Sequence, residues 1–588
     1  LNVRHWVDRF SVGPIFVSGL AIATAVLAAC AGGGGSSPTP THAATAQPGN
    51  TGGSGAATTA VVKIAVTWPQ GSAAAASRRH RAYVSNSTAS ITVSVNGGTP
   101  IFVNNPNLSP GTGNAGTQST SILNVNAPVG GDTFSVGDYD AAGGAGNLLA
   151  QNSIPFTVVA GADQTVGVTL NGNLGKVVCA PITPFVTGAN GGPFTLVGPT
   201  GQVQLLPEDP DGNIIIAPGA LPALAISAPA AAATTSTTTT PNEFNVDVLT
   251  SGATVTLTGT GNDLAGTAIS TTCTITREPA LYVTNYSQTG QNPSVTIYPA
   301  SASGDATPLA TLAGPATLES GVQFPAVDPA GNLFLTNLGP KPGATYGPTS
   351  GYVTEYSPGT GQTGNAAPVA TIAGYNRPEG IQFDSTGDLY VLSLDRIQEY
   401  PPSADGITAP AAVSSAIVGA DTQLATCYGL DVTTTTIYAT CVPYPFYIAY
   451  WPKATSGNVA PTQMEFTGSV TTMGVTASYS EVSWLGIAVD PTSGTMYTPD
   501  ANNNINEVYS FPAGSSGMTP ATALATGFSQ PIGIFEDATG KFYVANYGAN
   551  SISIFSSATT LTLGTVAASA TISGADTGLN FPYGVTVR

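Results

Sequence analysis

FPAVDPAGNLFLTN, residues Phe324 to Asn337, is a phrase that the C-terminal half of the chain repeats. It returns as GIQFDSTGDLYVLS (Gly380 to Ser393), GIAVDPTSGTMYTPD (Gly486 to Asp500) and GIFEDATGKFYVAN (Gly533 to Asn546). A degenerate copy, GLDVTTTTIYATC, runs from Gly429 to Cys441. Partial copies stand at Ala280 to Tyr286 (ALYVTNY) and Gly584 to Arg588 (GVTVR). Each copy reads as a β-hairpin: an apolar strand, an Asp, a tight turn, and a second strand rich in Tyr, Phe and Val. Asp followed three residues later by Gly suits a type I turn, with the carboxylate accepting local amides and Gly taking positive φ. Asp328 with Gly331, Asp384 with Gly387 and Asp537 with Gly540 fit, and Gly494 falls one residue later in its copy.

A third strand follows each hairpin, near Ile297, Tyr356, Tyr400, Tyr450, Tyr509 and Phe555, and a fourth follows most of them, as in ATPLATLAG and AAPVATIAG. Four strands recurring at roughly 46 to 59 residues mark a β-propeller blade. The second strands predict six blades, with their ends in a column of Asn285, Asn337, Ser393, Cys441, Asp500 and Asn546. The first blade lacks an innermost strand on its N-terminal side, and GVTVR supplies it. The ring is expected to close by pairing these last residues with the strand at Leu281, which leaves no free edge there.

The phrase G-I-x-x-D-x-x-G-x-x-Y-V-x-N resembles the NHL-repeat propellers and, more loosely, the gluconolactonase-like propellers. Such folds include both binding scaffolds and enzymes. The basic residue that often precedes the third strand in NHL repeats is present here only at Arg396. In gluconolactonase-like propellers a trio of oxygen ligands holds a metal. By that resemblance Glu379, Asp500, Asn337 and Asn546 are the candidate ligands for a divalent cation such as Ca2+, which takes oxygen donors. No cofactor is otherwise required. The competing reading is a polar, water-filled channel mouth, and it is preferred. Strand entries and second-strand ends should share that mouth, so Asn285, Tyr428, Trp484 and Tyr583 are expected to line it as a binding surface. The aromatic residues there suit stacking on a sugar or simple packing.

The 588 residues exceed one core and imply several domains. Residues 1–29 read as a lipoprotein signal peptide: Arg4 and Arg9, an apolar run, then Leu27-Ala28-Ala29-Cys30, which resembles the bacterial lipobox with Cys30 as the lipidated residue. A transmembrane anchor is the less favoured alternative. Residues 30–60 form a linker of Gly, Ser, Thr, Pro and Ala. Residues 61–175 and 176–277 each read as a β-sandwich domain, resembling the immunoglobulin-like modules of bacterial surface proteins in size and strand spacing. Residues 278–588 are the propeller. The expected fold is all-β: two β-sandwich domains followed by a six-bladed β-propeller closed by its C-terminal strand. EDPDGN, with Asp209 and Asp211, resembles a calcium loop but lacks its downstream ligands and is read as a turn. The basic cluster Arg78, Arg79 and Arg81 is read as a solvated loop in preference to a contact with anionic lipid or glycan.

Five cysteines divide into a lipid site and two pairs. Cys179 and Cys273 flank the second sandwich. Cys427 and Cys441 bracket one hairpin, whose antiparallel geometry brings its ends together. Such pairing implies an oxidising compartment. A net charge of −18 argues against nucleic acid. Histidine occurs only at positions 5, 42 and 80, so the propeller has no Ser-His-Asp or Cys-His site and no His-ligated metal. The chain is expected to be a monomeric, lipid-anchored extracytoplasmic protein, at the bacterial outer membrane or cell surface, that contacts the membrane through its lipid. Its propeller is expected to bind a protein or glycan. A metal-dependent lactonase or lyase-like enzyme and a purely structural envelope protein are the alternatives.

Overall fold

The computed structural model describes residues 58–67, 85, 87–106, 120–216, 220–286, 293–340, 347, 349–401, 415–442, 447–465, 469–472, 475–478, 485–502, 506–518, 522–525, 528–557 and 568–588. Cys30, the signal and linker segments, the arginine cluster at 78–81 and Trp484 lie outside them. Among the described residues every regular element is a strand or a short 3-10 turn, and no helix is long and apolar enough to cross a membrane.

The N-terminal part holds two pairs of sheets. Thr59–Thr67 pairs with Thr120–Pro128 and Gln164–Val166, while Ser90–Val95 lies between Ile101–Asn104 and Gly130–Ala141 in a five-stranded sheet. Alternation turns Ile64 and Val125 of the first sheet, and Ile91, Val93, Phe134 and Val136 of the second, into one core. The next pair joins a four-stranded sheet, including Lys176–Ile182, to a five-stranded one, including Ala268–Glu278. The Cys179–Cys273 disulfide ties those two strands, as the cysteine count led one to expect.

Seven sheets follow among the described residues: a two-stranded one, Ser469–Thr472 with Val475–Ser478, and six of four or five strands, in all but one of which the innermost strand comes first. The innermost strands are Val322–Val327, Pro378–Phe383, Cys427–Val432, Ala488–Val489, Pro531–Glu536 and Pro582–Val587. The last of these is the C-terminal strand, which pairs Val587 with Leu281 and Val585 with Val283. The chain end therefore completes the sheet begun at Ala280. The Asp turns form as read: the amides of Gly331, Gly387 and Gly540 donate to the carbonyls of Asp328, Asp384 and Asp537, and each Gly has positive φ. EDPDGN is the same turn, with the Gly212 amide on the Asp209 carbonyl.

Successive inner strands touch through glycine. A Cβ on Gly380, Gly429, Gly486, Gly533 or Gly584 would lie 2.4–2.9 Å from the carbonyl oxygen of Tyr428, Leu485, Ile532, Tyr583 or Gln323, each in the next sheet round. No side chain fits there, so the backbones approach directly. The sheets thus surround one axis, and this part of the chain is a β-propeller. Buried threonine hydroxyls bind the joints: Thr284 donates to the Gln323 carbonyl at 2.5 Å and Thr336 to the Glu379 carbonyl at 2.7 Å.

A second set of joints runs round the rim. The loop before the outermost strand carries Gly304, Gly364 or Gly457, each bridging in parallel to the outermost strand of the preceding sheet at Ile572, Leu312 or Ile417. The adjacent Asp305, Asn365 or Asn458 accepts from the amide of Asp576, Ala316 or Asp421, in the turn that leaves that strand. Gly517–Met518 pairs likewise with Thr462–Glu465. The Gly304 latch joins the last of these sheets to the first.

Candidate functional site

Each inner strand opens with a short segment ending in the close-contact glycine, or in Phe324 for the second sheet. The residue before it is Gln323, Glu379, Tyr428, Leu485, Ile532 or Tyr583. Glycine contacts join five of the successive positions, from Glu379 round to Gln323, and the Thr336 hydroxyl on the Glu379 carbonyl makes the sixth joint, so the six form a ring about the axis. Three of the segments begin with a proline preceded by a left-handed residue: Arg377 (φ 54°), Gln530 (φ 48°) and Phe581 (φ 53°). Proline disfavours helical backbone in the residue before it, and non-glycine residues rarely take positive φ. Strained backbone of this kind gathers where the surrounding structure needs a particular direction of chain. Here it turns the chain sharply into the axis.

Only one member of the ring is acidic. Glu379 is 1% exposed. One of its oxygens lies 3.4 Å from the Arg377 guanidinium, and Oε2 has no hydrogen-bond partner. Burial pushes its carboxyl up to about 8, against the pull of Arg377. Burial thus disfavours the charged form of this carboxyl, and Arg377 favours it. Burial and the neighbouring Glu379 push the Tyr428 phenol up to about 12, and burial raises Tyr583 well above its ordinary value. Tyr583 sits in an aromatic surround, with ring centroids 5.4 Å from Phe324, 6.0 Å from Tyr286 and 6.5 Å from Tyr547. Tyr286, Phe581 and Tyr583 are part-exposed, while Tyr428 is nearly buried.

The asparagine column has a different surround from the one expected of metal ligands. Asn285, Asn337 and Asn546 donate from Nδ2 to Thr296, Thr354 and Ser553, hydroxyls on the neighbouring third strand. Oδ1 of Asn285 and Asn337 accepts the amides of Asn580 and Ser320, just ahead of the inner strand. Asn285 and Asn337 thereby tie the third strand and the lead into the inner strand to the second strand of their sheets. Asp500 accepts the Asn502 amide at Oδ1. In the fourth sheet a disulfide, Cys427–Cys441, stands where the clamp would be. No group of three or more His, Cys, Asp or Glu able to hold a metal occurs among the described residues.

In the fifth of the larger sheets Leu485 directly precedes Gly486 as Glu379 precedes Gly380.

Adjoining this ring is a cavity of roughly 160 Å³, lined by Phe324, Gly380 and Gly429 of the close contacts and by Gln382, Asp431 and Glu536 among others. Asp431 accepts the amides of Val432 and Val489, and burial still raises it to about 6. Burial, then the charges of Asp490, Asp431 and Asp537, raise Glu536 to about 7. Gln382 and Asp431 each lie three residues beyond the first ring, a spacing visible in the sequence once the ring position is known.

The family model described as "Lactonase, 7-bladed beta-propeller" matches residues 445–580, less than half of the chain, and agrees with the propeller fold. No curated protein matches the chain. Solved structures to which it is similar include a periplasmic gluconolactonase of Pseudomonas aeruginosa, at 12% identity and TM-score 0.35, covering 53% of this chain and 98% of that one. A putative 6-phosphogluconolactonase of Bacteroides uniformis is 10% identical with TM-score 0.33, covering 53% of this chain and 99% of that one. PorZ, a surface component of the type-IX secretion system of Porphyromonas gingivalis, is 12% identical with TM-score 0.29, covering 72% and 61%.

Proposed function

We propose that this chain is an extracytoplasmic binding protein, anchored by lipid at Cys30, whose six-bladed propeller receives its ligand at the ring mouth. Residues 61–175 and 176–277 act as two sandwich domains that set the propeller off from the membrane. Two disulfides support an oxidising compartment. The observation that carries the binding reading is Glu379 itself. A buried carboxyl oxygen without a partner costs free energy unless something completes it. It lies beneath an aromatic mouth in a propeller whose other polar column is engaged in holding its own sheets together. Neither histidine nor a three-acid cluster stands by to drive turnover among the described residues.

The test is binding of the full chain to protein and glycan arrays, beside Glu379→Ala and Tyr583→Ala. Binding by the parent that both substitutions abolish is expected. Binding indifferent to both would remove the mouth from consideration.

The lactonase family match favours a second reading, hydrolysis of a lactone with a divalent cation on Glu379 and Asp500. Calorimetry with calcium and manganese, beside a lactone-hydrolysis screen, separates the two. Metal-dependent turnover lost in Glu379→Gln or Asp500→Asn would replace the binding proposal.

A further inference from the structure

We infer that the cavity beside the ring takes a small alkylammonium ion, with its charged head on Glu536 and Asp431 and its hydrocarbon stem against the apolar wall. This site goes beyond the mouth, since none of the six ring residues lines it. Each of the six inner strands contributes to its wall, and the space measures roughly 160 Å³. A cavity of about 150 Å³ admits a molecule the size of benzene, so the ligand has about six non-hydrogen atoms. The repeat marks the polar residues here as exceptions. Four residues beyond the ring position, five inner strands carry Val327, Phe383, Val432, Val489 or Val587, and the sixth carries Glu536. Three residues beyond it, Ala326, Ala488, Phe535 and Thr586 contrast with Gln382 and Asp431. A carboxyl group where the repeat places an apolar side chain costs free energy unless something completes it.

The wall offers acceptors, for which the ligand must bring donors. Glu536 Oε2 is buried and has no hydrogen-bond partner among the described residues. Asp431 is held in place by the amides of Val432 at 2.7 Å and Val489 at 2.6 Å and by the Gln382 side-chain amide at 3.4 Å. A carboxylate has about four lone-pair sites, so Asp431 can accept once more. Its charge acts on Glu536 together with those of Asp490 and Asp537, and no Lys or Arg lines the cavity. An ammonium group brings donors, no acceptor and the opposite charge. Phe324, Ile381, Leu430, Ile487 and Ile534 supply apolar surface for a methylene stem. Other ligands fit worse. An anion would meet two acids. A hard divalent cation takes about six to eight oxygen ligands, and here it would find two carboxyl groups, one of them already engaged by amides.

Calorimetry of the full chain with n-butylammonium and putrescine tests this, beside 1-butanol, butyrate and calcium. Both ammonium ions should bind saturably, at least about tenfold more tightly than the alcohol or the carboxylate. Glu536→Gln, which keeps the shape and removes the charge, should weaken them by about tenfold or more. Asp431→Asn, which keeps an acceptor for the amides, should do the same. Asp305→Asn removes an acid at the rim and should leave the affinity unchanged, which separates the site from the pull of the whole acidic chain. Melting curves of the three variants check that the fold persists. Absence of saturable binding of either ammonium ion by the parent would overturn the inference. So would equal affinity for 1-butanol, displacement of the ammonium ions by calcium, or ammonium binding that both Glu536→Gln and Asp431→Asn leave intact.

Discussion

Glu379 links the site to stability. Its folded pKa, about 8, stands above the ordinary 4.5, so the folded state holds a proton that the unfolded chain releases. The stabilising term is complete below the ordinary value and is lost as pH rises through the folded one. Glu379→Gln should flatten this dependence and raise the melting temperature above about pH 8, by the equivalent of a few kcal/mol at most. Denaturant titrations of both proteins between about pH 5 and pH 9 check it. At Asn337 the expectation is purely structural. Its amide holds Thr354 on one side and the Ser320 amide on the other. Asn337→Ala should cost about 1–3 kcal/mol by leaving buried groups unpaired, with no change in any calcium response measured by calorimetry.

The C-terminal strand is the element whose removal should be felt most. Val585 and Val587 are 4% and 7% exposed, and the strand supplies both Gly584 at the axis and the inner partner of Ala280–Asn285. Deleting Gly584–Arg588 should lower stability by several kcal/mol from the lost valine burial alone, read by thermal melts. A truncated protein that melts like the parent would refute axial closure. The rim latch is a smaller device. Asp305→Ala removes the cap on the Asp576 amide and should cost about 0.5–2 kcal/mol, as loss of a helix cap does. Cys427 and Cys441, in direct register, close a loop of sequence separation 14. Replacing both with Ala should cost about 3 kcal/mol on the chain-entropy account.

Over the whole molecule the buried acids act together. Burial raises Asp138 and Glu379 to about 8, Glu355 and Glu536 to about 7, and Glu319 well above its ordinary value. All five favour the folded state at low pH and lose that advantage as pH passes through the folded values. Self-repulsion within a chain of net charge −18 grows in the same direction. Asp384 works the other way. Burial would raise it, but Lys453, Thr386 and the turn amides bring it below its ordinary value, so its contribution falls away in acid. The melting temperature should therefore be higher at about pH 5 than at about pH 9, as calorimetric scans across that range would show. The same core runs from the N-terminal sheets into the propeller, through Val186, Leu196, Ala280, Tyr282 and Leu335. Pro199 lies against Gly331 in a propeller turn, and the Gly198 amide donates to the Glu278 carbonyl. Ser85 donates to Asp209 at 2.6 Å between the two N-terminal pairs of sheets.

The sequence by itself determined what is local or strictly periodic. Asp328, Asp384 and Asp537 with their glycines specify turns through their own backbone, and alternation along each strand does the rest. Cys427 and Cys441 were legible because a hairpin brings its ends together. The role of GVTVR was legible because one repeat lacked a strand and another piece of the repeat stood alone. Tertiary structure decided whatever depends on a neighbour from another sheet. The bonds of Asn337 to Thr354 and Ser320 depend on a neighbouring strand and turn, which no residue beside it in the chain reveals. The close-contact glycines and the latch of Gly304 on Ile572 rest on how one sheet meets the next. Glu379 was recognised by its position. The upward push on its carboxyl comes from desolvation, which is set by the packing of strands far apart in sequence.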